Sequence, residues 1–131
     1  MGTQKVAVTS SWGEAIGYSR AVRAGDLIFV SGTTASGPDG KALHPGDAGA
    51  QTKVILERIA DALKELGAGP EHVVETRIYL ADMATWQDVG RAHGAMFKDI
   101  RPATVILEVS RLIAPDLMVE IAATASLAAG K

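Results

Sequence analysis

Residues 101 to 125, RPATVILEVSRLIAPDLMVEIAATA, limit the fold more than any other stretch of the chain. Residues 104 to 111 alternate Thr104, Ile106, Glu108 and Ser110 with Val105, Leu107, Val109 and Arg111. Residues 117 to 127 alternate Leu117, Val119, Ile121, Ala123 and Ala125 with Met118, Glu120, Ala122 and Thr124. Successive side chains of a strand point to opposite faces, so a period of two predicts a strand in each segment. The LIAPD turn between them predicts that the two strands are antiparallel neighbours. In the second strand Glu120 projects between Met118 and Ala122, on a face that is otherwise apolar or small. An unpaired carboxylate there is costly unless it meets a cleft or a partner, which makes Glu120 the first functional candidate.

Upstream, the chain predicts strands interleaved with helices. QKVAVTS at 4 to 10 reads as a short edge strand, followed by a turn at Ser-Ser-Trp-Gly. A strand from about 17 to 23 and the strand LIFVSG, joined at Gly25-Asp26, form a predicted hairpin. The Gly, Pro and Asp residues of 34 to 49 exclude regular structure and predict a long surface loop. A helix runs from Asp47 or Ala48 to Leu66, with Ile55, Ile59, Leu63 and Leu66 on one stripe, charged residues opposite, and Gly67 at its C-terminal stop. HVVETRIYL alternates as a strand, and Thr85-Trp-Gln-Asp88 predicts a capping box opening a second helix to Phe97. That helix is expected to bury Trp86, Val89, His93, Met96 and Phe97, with Gly90 and Gly94 allowing close approach to the sheet.

The predicted order is β-β-(β)-α-β-α-β-β, one α+β domain over residues 1–131, with each helix a crossover between parallel strands. Its mixed sheet carries two helices on one face. Both sheet faces are apolar and two helices cover only one, so the other is expected to pack against further copies of the chain.

The bulk properties exclude several function classes. A net charge of −2 without a basic stripe or an aromatic platform argues against a nucleic-acid partner. The chain has no cysteine, which excludes disulfides and thiolate chemistry. No apolar run reaches the roughly 18 residues of a membrane span and no secretory h-region is present, so the expected location is cytoplasmic with no membrane partner. His44 and His72 lie in loop or turn contexts, and His93 falls on the apolar stripe of the second helix. None has ligand spacing with a carboxylate, so no metal site is expected. Ser31 lacks a G-x-S-x-G context, which argues against a serine hydrolase.

The run R-P-A-x-V-x-x-E-V-x-R-L followed by P-D-L-x-V-E-I, with AIGYSRAV at 15 to 22 and GDLIFVSGTTA at 25 to 35, resembles the RidA/YjgF reactive intermediate deaminase family, also called the L-PSP endoribonuclease family. The resemblance spans nearly the whole chain. It implies a chorismate mutase-like, RidA-type fold assembled as a homotrimer around a central barrel. It also implies ligand clefts between subunits and cofactor-free hydrolysis of enamines and imines. Tyr18 matches the family's cleft tyrosine, Ser31 and Gly32 its Ser-Gly, and Glu120 its glutamate. The family's arginine falls on Thr104, its asparagine on Gly90, and its small residue, often cysteine, on Ile106. A guanidinium grips a carboxylate through two parallel hydrogen bonds that threonine cannot reproduce, so this chain is expected to bind something else or to bind differently.

The expected roles follow, each with a structural alternative. Glu120 activates or orients a water for attack on a C=N carbon, or else pairs with Arg111 or another arginine across a subunit interface. Tyr18, the second catalytic candidate, hydrogen-bonds the ligand or polarises it, or is an amphipathic interface residue. Arg20, two residues after Tyr18 on the same predicted strand face, is a substitute anion anchor or an exposed edge arginine; Arg101 is a second candidate anchor. The leading reading is a hydrolase of a small imine or enamine in an inter-subunit cleft. The competing one is a trimeric binding or sensor protein that kept the cleft and lost the chemistry.

Overall fold

Period-two and period-3.6 segments condense into a single six-stranded mixed sheet with two long helices against one face. The computed structural model describes residues 2–130. The elements are β1 (Gln4–Val6), α1 (Trp12–Ile16), β2 (Ala21–Ala24), β3 (Leu27–Thr33), α2 (Ala48–Glu65), β4 (Val73–Leu80), α3 (Trp86–Phe97), β5 (Ala103–Glu108) and β6 (Val119–Ser126). Short 3-10 turns at Pro70–His72 and Met83–Thr85 precede β4 and α3. The strand order across the sheet is β1-β2-β3-β6-β4-β5. β6 is antiparallel to both β3 and β4, so β3 and β4 run in the same direction, and β4 pairs with β5 in parallel. Both helices therefore connect parallel strands, as the sequence predicts.

The core lies between the sheet and the helices. Ile28 and Val30 of β3, Ile78 and Leu80 of β4, and Val119, Ile121, Ala123 and Ala125 of β6 pack with Ile55, Leu56, Ile59 and Leu63 of α2 and Val89 and Phe97 of α3. Those four α2 residues fall on one stripe because their spacing follows the 3.6-residue turn. Asp47 caps the helix by accepting from Ala50 N at 3.0 Å. Gly67 ends it with φ of 83°, a left-handed conformation that costs glycine nothing.

Several local expectations are corrected. β5 and β6 are antiparallel but are not neighbours, because β4 lies between them. Residues 109 to 118 connect them, long enough to pass over the end of one strand. The Ser-Ser-Trp-Gly segment starts the short helix α1 rather than making a turn. β2 begins only at Ala21, so Tyr18 lies outside any strand and does not share a strand face with Arg20. The capping box at Thr85 does not form: Thr85 has helical φ and ψ and makes no side-chain cap, while Asp82 caps the preceding turn by accepting from Ala84 N. Trp86 is 50% exposed rather than buried, as the first residue of α3 after that turn. A Cβ at Gly90 or Gly94 would meet nothing within 4 Å, so neither glycine serves a close approach.

Candidate functional site

The register between β3 and β6 builds the site. Val30 pairs with Ala123 and Thr33 with Ile121, three steps along β3 (30 to 33) for two along β6 (123 to 121), so β3 carries one extra residue at Ser31-Gly32. Such a bulge bends the strand and re-aims its side chains. It is tied down at both residues. Ser31 Oγ donates to Ser19 O at 2.7 Å and Ser31 N to Arg20 O at 3.0 Å, while Arg20 Nη2 donates to Gly32 O at 2.6 Å.

Glu120 lies across this bulge. Its carboxylate occupies the space a side chain at residue 32 would need: a Cβ on Gly32 would stand 2.2 Å from Glu120 Oε2 and 3.0 Å from Cδ. Only glycine leaves that space empty, so sequence and geometry agree on why Ser-Gly, and not another pair, faces the carboxylate. On the other side of β6, Tyr79 is the direct cross-strand partner of Glu120. Glu120, Gly32, Tyr79 and Ala122 line a cavity of about 420 Å³, completed by Val109, Arg111, Leu112 and Ile113 of the β5–β6 connection.

Electrostatics set Glu120 apart from the other carboxylates. Burial pushes its carboxyl above the ordinary value, and the Arg20 charge pulls the other way. Burial likewise pushes the Arg20 guanidinium below its ordinary value, against Tyr18 and Glu120, which favour its charge. Arg20 Nε is buried without a partner. Arg20 is thus half-buried and hydrogen-bonded, not the exposed edge arginine that was the alternative. The ion pairs among the described residues are Glu75 with Arg77 and Asp88 with Arg91, while Glu71 lies 3.9 Å from His72 Nδ1, which accepts from Gly69 N. The Glu120–Arg111 pair considered from sequence is therefore not made within the chain.

The remaining candidates sit elsewhere. Thr104 pairs with Thr76 and Ile106 with Ile78, both on the helix-facing side of the sheet, whereas Glu120 and Tyr79 share the opposite side. Thr104 Oγ1 lies 2.8 Å from Thr76 Oγ1 and donates to Pro102 O at 3.1 Å. The fully buried Thr76 hydroxyl also meets His93 Nε2 at 2.9 Å. Burial pushes the His93 imidazole below its ordinary value, so this histidine is a satisfied, neutral partner of Thr76, as its place on the apolar stripe suggests. Gly90 lies one turn before His93 on α3. Within one chain, then, Arg20, Ser31, Gly32 and Glu120 come together with Tyr18 nearby, while Thr104 and Ile106 lie on the helix-facing side of the sheet and Gly90 on α3. Arg101 lines a different cavity with Glu71 and Asp99 and has φ of 55°.

Three residues that position or line the site were missed by the sequence reading. Tyr79 was legible: in HVVETRIYL it falls on the non-core alternation, but its pairing with Glu120 depends on β6 lying beside β4. Arg111 enters from the sequence only as an ion-pair partner of Glu120. Gln51 gave no signal, since a glutamine in the first turns of an amphipathic helix has many uses. It is fully buried, donates to Leu43 O at 3.1 Å and Asp116 O at 2.8 Å, and accepts from Met118 N at 2.8 Å, fixing the backbone that leads into β6. Among the described residues no group of three or more His, Cys, Asp or Glu is arranged to hold a metal ion, and no helix is long and apolar enough to cross a membrane.

Comparisons with known proteins identify the family and the fold. The endoribonuclease L-PSP family matches residues 9–127. An uncharacterized Streptomyces coelicolor protein is 39% identical over 118 residues, covering 90% of this chain and 87% of its own. The 3-aminoacrylate deaminase RutC of Acinetobacter baylyi is 32% identical over 108 residues, covering 82% of this chain and 85% of its own. A crystal structure of a Mycobacterium tuberculosis member of the YjgF/YER057c/UK114 family superposes with a TM-score of 0.86 at 46% identity, covering 95% of this chain and 99% of that one. With a family match across most of its length and relatives above 30% identity over four-fifths of it or more, the chain belongs to the endoribonuclease L-PSP family, in the group of the YjgF and RutC proteins.

Proposed function

We propose that the chain hydrolyses a small imine or enamine, with Glu120 as the proton-transfer group. The observation that carries this reading is the Glu120 carboxylate itself: half-buried, without an ion-pair partner among the described residues, pressed against Gly32 at the wall of a cavity. A carboxyl whose pKa is raised toward neutrality can take a proton from water and give one back within a single turnover. In hydrolysis of a protonated imine Glu120 removes a proton from water as the water oxygen bonds to the C=N carbon, giving a neutral carbinolamine. It returns that proton to nitrogen and then takes the hydroxyl proton as the C–N bond breaks, so that ammonia leaves, the carbon becomes a carbonyl and Glu120 ends as the carboxylic acid. An enamine enters the same route after protonation at its β-carbon by the Glu120 carboxylic acid. The relationship to a 3-aminoacrylate deaminase supports a deaminase-type reaction.

The substrate is held differently from the amino-acid-derived imines of arginine-bearing relatives. Thr104 offers only a hydroxyl where the resemblance puts a guanidinium, and that hydroxyl is already engaged by Thr76 and Pro102 O. The cleft is completed by a second copy, because Thr104, Ile106 and Gly90 lie on the opposite side of the sheet from Glu120 and reach it only from a neighbouring subunit. Tyr18, with Ser31 and Gly32, positions substrate from the Glu120 side.

The engaged Thr104 hydroxyl equally favours a second reading, a binding or sensor protein that lost its turnover. Ammonia release from a panel that includes 2-aminoacrylate, trapped with semicarbazide, and 3-aminoacrylate separates the two. Acceleration above the buffer rate that vanishes in Glu120→Gln is the expected result. No acceleration on any member, with small-molecule binding retained, would leave the binding reading in its place.

A further inference from the structure

On the helix-facing side of the sheet a series of hydrogen bonds runs from the interior to the surface. His93 Nε2 of α3 lies 2.9 Å from Thr76 Oγ1 of β4, which lies 2.8 Å from Thr104 Oγ1 of the edge strand β5, which in turn donates to Pro102 O at 3.1 Å. Thr76 and Thr104 are cross-strand partners, so the register of β4 and β5 brings their hydroxyls together. The buried Phe97 ring, one helical turn beyond His93 with ring centroids 4.7 Å apart, packs against the imidazole. Thr76 is fully buried, whereas Thr104 is exposed. Each hydroxyl has a single proton, and that fixes the direction of the whole series. A carbonyl oxygen only accepts, so Thr104 gives its proton to Pro102 O. Thr104 must then accept from Thr76, and Thr76, its own proton used, must accept from a hydrogen on His93 Nε2.

From this geometry we infer that His93 is a positioning residue: acting through Thr76, its Nε2–H turns the Thr104 proton outward and makes position 104 a hydrogen-bond donor to a ligand oxygen. The inference rests on the proposed function, in which Thr104 of one copy faces Glu120 of the next, and it says how an uncharged side chain holds substrate there. With the imidazole protonated on Nδ1 alone, the series would run the other way, the Thr104 proton would point inward, and only lone pairs would remain at the surface. The observed direction also makes Thr104 the better donor, because a hydroxyl that accepts a hydrogen bond is polarised toward giving one. The contact to Pro102 O is the longest of the three, so it is the one a ligand oxygen replaces.

Long-range nitrogen–proton correlation spectra of isotopically labelled protein read the His93 tautomer directly. Wild type should carry the proton on Nε2. Thr104→Val takes away the acceptor of the Thr76 proton, which must then turn to the imidazole, so the His93 proton should move to Nδ1; Thr104→Ser should keep it on Nε2. A merely structural role for His93 would not couple its tautomer to a hydroxyl at the surface. An Nδ1–H tautomer in wild type, or one indifferent to Thr104→Val, overturns the inference. The functional arm is ammonia release from 2-aminoacrylate at subsaturating concentration. His93→Phe should slow it by roughly 3- to 10-fold, the usual worth of one hydrogen bond, and His93→Gln, which keeps an N–H donor, should recover part of the loss. Made in Thr104→Val, His93→Phe should cost nothing further, because His93 acts only through Thr104. An equal loss in both backgrounds overturns the positioning role and leaves the Glu120 reading standing. A wild type that releases no ammonia above the buffer rate overturns the Glu120 reading and, with it, any use of the series in holding substrate.

Discussion

Glu120 and Gly32 act as one device, and each can be perturbed separately. Because burial raises the Glu120 pKa, the native state holds its proton more tightly than the unfolded chain does. The sign follows directly. The stability this group contributes is fully present below pH 4.5 and is lost as pH rises through the raised folded-state value, so at neutral pH the ionised carboxylate is a burden on the fold. Glu120→Gln should therefore abolish turnover while melting at the same temperature as wild type, or higher, at pH 7, with the difference closing as the pH falls. A variant that melts well below wild type at pH 7 would instead mark Glu120 as the structural partner of a buried arginine, a loss worth about 3 to 5 kcal/mol. Gly32→Ala tests the geometry without touching the charge. The added methyl meets the end of a flexible side chain, so the fold tolerates it, but the carboxylate must swing away. Displacements of that size cost on the order of a hundredfold in rate, so turnover should fall by about that factor with the melting temperature within a few degrees of wild type. Circular dichroism melts and ammonia-release rates on the same preparation check both. The sequence made Glu120 legible because a lone carboxylate is unusual on a small-residue strand, whereas Ser31 and Gly32 were legible only through the family resemblance. Tyr18 and Arg20 were found too, but their relation was misjudged, since alternation holds only where the strand exists and β2 starts after both.

At the level of elements, periodicity told which way side chains point but not which strands pair. Residues 104 to 111 and 117 to 127 alternate as expected, yet alternation is the same whether a strand lies beside its successor or one place further along. With strands about 4.8 Å apart, passing over β4 requires a step of only about 10 Å, well within reach of the 109 to 118 connection. That longer connection carries Arg111 and most of one cavity wall, so the misread turn also hid half the site. The missing capping box has a similar cause: Asp82 captures the backbone one turn earlier than Thr85, and local competition of this kind is decided by geometry that spacing alone does not contain. Gln51 is the clearest case of an element held by a side chain the sequence gave no reason to single out. It ties α2 to the loop at Leu43 and to the start of β6 through three backbone groups. Replacing it by alanine strands two carbonyls and one N–H in the interior and leaves a void. Gln51→Ala should lower stability by about 2 to 4 kcal/mol in urea unfolding at unchanged slope, and should also disturb Glu120, since Met118 is only two residues away. A loss under about 1 kcal/mol would mean that water replaces the amide fully.

Across the whole molecule, the distribution of apolar surface argues for assembly. On the face opposite the helices, Leu27 and Phe29 of β3 and Val105 and Leu107 of β5 remain 43%, 47%, 41% and 48% exposed, and the same face carries Glu120 and Tyr79. We propose that further copies of the chain cover it, and the site dictates the symmetry. In the proposed cleft Thr104, Ile106 and Gly90 on the helix side of one copy would meet Glu120 on the open side of the next, which would put two different patches in contact. A two-fold dimer joins like patches, whereas a head-to-tail contact closes only as a ring, and three copies make the smallest one. Light scattering on a size-exclusion column should give three times the mass of 13.6 kDa across micromolar concentrations, and a monomer mass there would remove both the assembly and the shared cleft. Phe29→Glu gives the causal version. Phe29 is outside the buried core, so a charge there leaves the monomer's fold intact while placing an unpaired carboxylate in the contact. Covering each half-exposed side chain is worth about 1 kcal/mol per copy, and desolvating a charge costs more than that, so the variant should elute as a folded monomer. Its imine hydrolysis should disappear with Glu120 still in place. A monomeric Phe29→Glu that retains full turnover would show that one chain holds the complete site, and that Thr104, Ile106 and Gly90 play no part in it.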